Sequence, residues 1–169
     1  MDKTTLLQET LNFRAYCDED WLAVCSIHDR ARPYELKGSC SPQAFVPLAE
    51  DAEDLNNFHH SEKFVAYIGN KIVGFVGVDG TLLSWLYVSP DYFGYGIGRE
   101  LLALALELTG PRARTIVLAG NARARHLYEK AGFESIHTFE STNAGYPCNC
   151  LELALRQESV SQQSQSHAA

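Results

Sequence analysis

No uninterrupted apolar run in the 169 residues approaches the ~20 needed to cross a bilayer as a helix. The opening Met1-Asp2-Lys3-Thr4-Thr5 has no basic segment leading into an apolar one, so a secretory signal is not expected. Basic residues are scarce too: fourteen Lys and Arg stand against twenty-one Asp and Glu, a formal net charge of -7. That argues against broad binding to nucleic-acid phosphates, which needs a basic surface, and is compatible with a cationic substrate. The five cysteines are scattered, and the single close pair, Cys148-x-Cys150, places both side chains on one face of a strand, a poor spacing for a metal. They are expected as structural thiols of a reducing compartment. The absences together describe a cytoplasmic protein without membrane, nucleic-acid or metal partner.

What is present fits one domain over residues 1–156, large enough for a single good core. The tail 157–169, rich in Ser and Gln and poor in apolar residues, is expected to be disordered. A first strand is expected at 12–16. Asp18, Glu19 and Asp20 then start a helix that turns Trp21, Leu22, Val24, Cys25 and Ile27 toward a core and closes at Arg32-Pro33. Residues 34–60 are irregular, with short helices around 43–50 and 52–58 and an acidic run at 50–54. Three strands follow, 63–68, 71–79 and 81–88, punctuated by Gly69-Asn70 and Asp79-Gly80, which makes an antiparallel meander.

The stretch Tyr92-Phe93-Gly94-Tyr95-Gly96-Ile97-Gly98-Arg99 then joins strand to helix. Its alternate glycines let another molecule approach the backbone, and the free N–H groups of the helix behind them suit an anion, most simply phosphate. Ile97, Leu101, Leu104, Ala105 and Leu108 form the apolar face of that helix, ended by Gly110-Pro111. A buried strand at 115–118 is expected to lie parallel to the one ending at Val88. Asn121 caps a helix over 122–131 that stops at Gly132, and 133–140 with 148–155 closes as a hairpin around Asn143-Ala144-Gly145. The fold class is therefore α/β: a mixed sheet of about seven strands, an antiparallel meander with one parallel pair, strands 4 and 5, and helices on both faces. A ligand belongs at that topological break.

Two segments carry a family resemblance. Residues 86–102, LYVSPDYFGYGIGRELL, are similar to the acetyl-CoA-binding motif of the GNAT (GCN5-related) N-acetyltransferases, and residues 121–133, NARARHLYEKAGF, resemble that family's second cofactor segment. The resemblance implies that strands 4 and 5 splay and that the pantetheine arm of acetyl-CoA lies between them. It implies a cofactor-binding wall of Leu86, Tyr87, Val88, Phe93, Gly94, Tyr95, Gly96, Ile97, Gly98, Arg99, Asn121, Ala124 and Tyr128. Leu86 and Val88 would pair with the arm, and the amides from Gly94 to Arg99 would hold the pyrophosphate. Asn121 would touch the arm as well as cap its helix. Tyr128 would protonate the departing CoA thiolate, and the Val88 N–H would stabilise the oxyanion. At Phe93 the family usually carries Arg or Gln, so the loop lacks that side-chain contact.

The implied reaction is direct acetyl transfer to a primary amine of a small molecule or peptide. Such an amine, with a pKa near ~10, must lose a proton before it attacks. No acid lies within residues 82–88, where many family members keep a glutamate; Glu35, His59, His60, Asp79, Tyr146 and a water chain are the candidate bases. A dinucleotide site is disfavoured because the third glycine comes one residue early and no acidic residue follows the next strand; a Walker loop fails for want of Gly-Lys-Ser/Thr. The alternative of another class is a binding module that senses acyl-CoA without turnover. As for assembly, both a monomer and a homodimer are compatible with the pattern.

Overall fold

The structure, a computed structural model, describes residues 2, 5 and 10–157, so the tail from residue 158 lies outside the described residues. The chain runs β1 (Leu11–Ala15), α1 (Trp21–Leu36), α2 (Ala52–His60), β2 (Glu62–Ile68), β3 (Lys71–Asp79), β4 (Leu82–Val88), α3 (Ile97–Thr109), β5 (Arg114–Leu118), α4 (Ala122–Lys130), β6 (Phe133–Asn143) and β7 (Tyr146–Leu155). One seven-stranded sheet has the order β1-β2-β3-β4-β5-β7-β6. Neighbours are antiparallel except β4 and β5, which are parallel. This is the expected mixed sheet with its single parallel pair.

Alternation along β4 divides the core between the two faces. Trp85 and Tyr87 join Val24, Ile27, Leu48, Phe58 and Phe75 under α1 and α2. Leu86 and Val88 lean the other way, against a cluster with Ile97, Leu101, Leu102, Ala105, Tyr128 and Phe133 under α3 and α4. The apolar stripe of α3 is rotated from the expected one. Ile97, Leu101 and Ala105 are buried as anticipated, but Leu102 and Thr109 are buried where Leu108 is exposed and Leu104 only half-buried.

Three further departures shape the site. First, α1 does not stop at Arg32-Pro33 but runs through Pro33 to Leu36. Proline removes one helical donor; burial of Ala31 and Leu36 on either side outweighs that loss. The extra turn carries Tyr34 and Glu35 on a helix rather than in a loop. Leu22, expected inside, is exposed, while His28 takes a core position. Second, the closing hairpin is longer than expected and turns on Ala144 and Gly145, whose φ values of 48° and 81° are the left-handed pair of a tight two-residue turn. Third, Cys40 and Cys148 form a disulfide, with Cα atoms 4.9 Å apart and 108 residues between them in sequence. All five cysteines were expected as thiols; a pairing across that separation leaves no trace in spacing. Cys17, Cys25 and Cys150 are free.

The start of α1 is fixed to β1 by one ion pair. Arg14 Nη1 and Nη2 donate to Asp20 Oδ2 and Oδ1 at 2.7 and 2.8 Å, and the Cys17 N–H donates to the same carboxylate at 3.0 Å. The Arg14 hydrogen bonds hold the Asp20 carboxyl down at about 2, against an ordinary 3.8. A depressed folded-state pKa gives stability that is full above about pH 4 and is lost as pH falls through about 2. Arg14 is 43% exposed, which screens the pair. Asp20→Asn is therefore expected to cost about 1–2 kcal/mol of unfolding free energy at pH 7. The gap from the wild type should narrow below pH 4 and close near pH 2 in denaturant titrations; a gap independent of pH would contradict this account.

Candidate active site

The site begins where the sheet opens. β4 and β5 pair only at Leu82↔Arg114 and Leu83↔Thr115, and the Thr115 hydroxyl donates to the Leu83 carbonyl at 2.9 Å, closing the base of the seam. Beyond that point the strands part. The Ser89 N–H donates to the Val73 carbonyl at 2.8 Å, so the alternation of an antiparallel ladder gives Tyr87 to β3 as well. By the same alternation the N–H and C=O of Leu86 and Val88 turn away from β3, into the seam. Two consecutive pairs of backbone groups thus face a gap that β5 does not fill.

At the end of β4, Gly94 and Gly96 adopt φ values of 83° and 82°, a left-handed conformation in which a side chain would be strained. Gly96 is the N-cap of α3 and offers no side chain to cap it, so the first-turn amides of that helix lack an internal side-chain acceptor. The contrast with α4 is direct. There Asn121 Oδ1 accepts from the Ala124 N–H at 3.2 Å and satisfies the helix itself. The unsatisfied donors at one helix, with the open backbone of β4 beside them, fit an extended ligand that ends in a polyanion.

A groove of about 450 Å³ follows this path. Its walls include Leu86, Tyr87, Val88, Phe93, Gly94, Gly96, Ile97, Gly98, Arg99, Asn121, Ala124 and Tyr128, together with Glu35, Lys37 and Arg123. Of the thirteen residues expected there from sequence, Tyr95 alone is not on the wall; its ring sits 6.1 Å from that of Tyr92 and packs on the core. Phe93 lies against Tyr34, edge to face at 5.4 Å, and carries the Arg123 guanidinium 3.7 Å above its ring.

A second cavity, of about 280 Å³, opens on the other side of Tyr128. Arg32, Asp54, Trp85, Thr115, Ser141, Asn143 and Cys150 contribute to its walls. Glu35, Leu86, Tyr87, Asn121, Ala124 and Tyr128 belong to both spaces and form their junction. Within the second cavity Arg32 Nη1 donates to Glu35 Oε2 at 2.7 Å, and Arg32 Nη2 donates to Asn143 Oδ1 at 3.0 Å. Burial works against the Arg32 charge, but Tyr87, Glu35 and Asp54 outweigh it and hold the guanidinium charged. Burial pushes the Asp54 carboxyl up, reinforced by Asp51 and opposed by Arg32 and His28. The buried indole Nε1 of Trp85 has no hydrogen-bond partner among the described residues.

Tyr128 is 4% exposed. Burial raises its pKa well above that of an ordinary phenol; a hydrogen bond with Thr115 opposes the shift and Glu35 adds to it. It is a protonated, donor-competent hydroxyl throughout the physiological range. Tyr87 is likewise pushed up, by burial first and by Glu35 second.

Among the candidate bases, Glu35 alone lines these two cavities. His59 and His60 are exposed on α2, where His60 Nδ1 lies 2.7 Å from the Asn56 carbonyl. Asp79 is exposed at the β3–β4 turn, and the Tyr146 hydroxyl donates to Gln43 Oε1 at 3.0 Å. Sequence reasoning passed over Arg32 as a site residue, met Asp54 only within the acidic run 50–54, and met Arg123 only within a basic cluster, with Arg112, Arg114 and Arg125, beside the phosphate site. Arg32 and Glu35 are spaced i, i+3, a signal that a helix ended at Pro33 conceals.

Residues 59–135, from the end of α2 to the start of β6, match the family model of the acetyltransferase (GNAT) domain. Over that stretch, a little under half of its length, the chain is similar to the GNAT acetyltransferases. A curated relative, the peptidyl-lysine N-acetyltransferase YjaB of Escherichia coli, is 35% identical over 82 residues, which is 48% of this chain and 55% of that protein. The chain thus spans about half the length of the curated relatives it matches. Among solved structures, a GCN5-related N-acetyltransferase from Rhodopseudomonas palustris superposes with a TM-score of 0.77 at 18% identity, covering 88% of this chain and 96% of that one. The spermidine N-acetyltransferase of Vibrio cholerae, solved in complex with CoA and spermine, gives 0.64 at 19% identity over 87% and 95%. At such identities the likeness is one of fold, and in this chain the parting of β4 and β5 beyond Leu83 and Thr115 is the feature that organises the site.

Proposed function

We propose that this protein is an N-acetyltransferase that uses acetyl-CoA to acetylate a primary amine of a small molecule or peptide. The observation that carries the proposal is the junction at Tyr128. A groove shaped for an extended polyanionic ligand meets a second, carboxylate-lined cavity at one buried, protonated phenol. Acetyl-CoA supplies an acetyl group already activated as a thioester.

The chain's own groups do the rest. Leu86 and Val88 pair with the pantetheine arm through backbone groups, and the amides of the glycine loop hold the pyrophosphate. The Val88 N–H is the donor for the carbonyl oxygen as it gains charge. Glu35, at the junction and oriented by Arg32, receives the proton of the incoming ammonium, and Asp54 deeper in the cavity favours a cationic acceptor. The Tyr128 hydroxyl gives its proton to the departing sulfur. Acetyl-CoA as donor places the reaction in the cytoplasm, and residues 1–156 constitute the working domain, as a monomer or homodimer. The net charge of -7 supports an acceptor that is neither a nucleic acid nor an anionic membrane surface.

The test is thiol release. The purified protein is incubated with acetyl-CoA and a panel of polyamines, amino acids, aminoglycosides and lysine- or N-terminal-amine peptides. Amine-dependent CoA release with at least one member is expected. Tight CoA binding with no amine-dependent release would instead identify a sensor of acyl-CoA, and no binding of CoA at all would remove the reading altogether.

A further inference from the structure

The groove has an unexplained feature at its anionic end. An apolar ring, Phe93, stands immediately before the glycine turn, and a cation from a different element sits over it. Arg123, in the first turn of α4, holds its Cζ 3.7 Å from the Phe93 ring centroid. On the ring's edge Tyr34 packs at 5.4 Å, close to perpendicular at 84°. Phe93 is thus fixed by one aromatic neighbour and offers its face to the guanidinium. Arg123 has no carboxylate partner among the described residues, whereas Arg99 has Glu100 at 3.6 Å and Arg125 has Glu129 at 3.8 Å. A stacked guanidinium keeps its N–H donors in the ring-parallel plane, free to point outward. Here they border the groove beside Gly94, Gly96 and Gly98.

We propose that Phe93 and Arg123 act as one composite clamp for a diphosphate: the ring positions the guanidinium, and Arg123 supplies the charged side-chain contact that position 93 lacks. The inference rests on the acetyl-CoA reading and names a binding residue that lies outside the glycine loop. A planar fork against paired phosphate oxygens makes charge-assisted hydrogen bonds, which a lone ring could not provide.

Calorimetric titration of CoA and of 3′-dephospho-CoA, without acceptor, tests the clamp. Arg123 is exposed, so its removal should not disturb folding. Arg123→Ala is expected to weaken CoA about tenfold or more and to flatten the dependence of log Kd on log salt by about one charge. Arg123→Lys should fall between wild type and Arg123→Ala, because charge survives but the stacked fork does not. Phe93→Ala, which unmoors the guanidinium, should weaken CoA by a few-fold, and adding Phe93→Arg to Arg123→Ala should recover much of the loss. The loss in Arg123→Ala should be the same for 3′-dephospho-CoA; a loss seen only with CoA would move Arg123 to the 3′-phosphate and overturn the diphosphate assignment. Wild-type affinity in Arg123→Ala would overturn the clamp while leaving the acetyl-CoA reading intact. Failure of the wild type to bind CoA would instead overturn that reading.

Discussion

Replacing Tyr128 by Phe is expected to lower kcat for amine-dependent thiol release by about two orders of magnitude, with CoA affinity and thermal stability nearly unchanged. The reasoning starts from burial. The phenol is enclosed between α4, β5 and the junction of the two cavities, and its pKa lies above the ordinary phenol range. It therefore remains a proton donor well beyond neutrality. Thiolate leaving into a water-poor site needs that donor more than it would in bulk water. The Thr115 hydroxyl already donates to the Leu83 carbonyl, so deletion of the Tyr128 oxygen leaves no new buried donor without a partner. The pH profile adds an independent readout: in the wild type no alkaline fall assignable to this group should appear up to pH 10. Full kcat in Tyr128→Phe at every pH would show that the hydroxyl does not serve as the acid.

Glu35→Gln is expected to reduce kcat/KM for the acceptor by about 10²- to 10³-fold, while CoA affinity stays within a few-fold. Position is the argument. Glu35 lines both cavities, and Arg32 anchors its Oε2 at 2.7 Å. Removing the charge also strips the half-buried Arg32 of its ion-pair partner, leaving it Asn143. Some loss of stability is therefore expected alongside the loss of rate. Single-turnover rates with acetyl-CoA already bound separate the two. A variant that is less stable yet keeps at least a third of the wild-type rate would make Glu35 a structural partner of Arg32 and not the base.

The sequence readily disclosed what depends on short-range pattern. Asp79-Gly80 and Gly69-Asn70 mark the turns of the meander, and the β-rich runs between them match β2, β3 and β4 to within a residue. Gly94 and Gly96 mark a tight turn that another molecule can approach, and both adopt left-handed backbone there. Asn121 reads as an N-cap from its position alone and is one. What escaped depends on tertiary placement. Pro33 is a local stop signal, overruled because Ala31 and Leu36 are buried on either side of it. Asp54 looked like one acid in a run, and only the fold turns it, rather than Glu50, toward the second cavity. Arg123 and Phe93 are thirty positions apart, and no periodicity links them. Choosing among the candidate bases had the same obstacle: Glu35, His59, His60, Asp79 and Tyr146 stand alike in the sequence, and only the fold brings Glu35, from the last turn of α1, to the junction.

The Cys40–Cys148 bond has a topological meaning. It turns residues 40–148 into a closed covalent ring, and every group assigned to the donor, from Leu86 to Tyr128, lies inside it. Arg32 and Glu35 lie on the arm that leaves the ring at one side, and Cys150 on the arm that leaves at the other. Both arms depart from a single node, beside the cavity assigned to the acceptor. A peptide-bond break anywhere between residues 41 and 147 would therefore leave one covalent molecule, its two pieces still tied together where the acceptor is meant to sit.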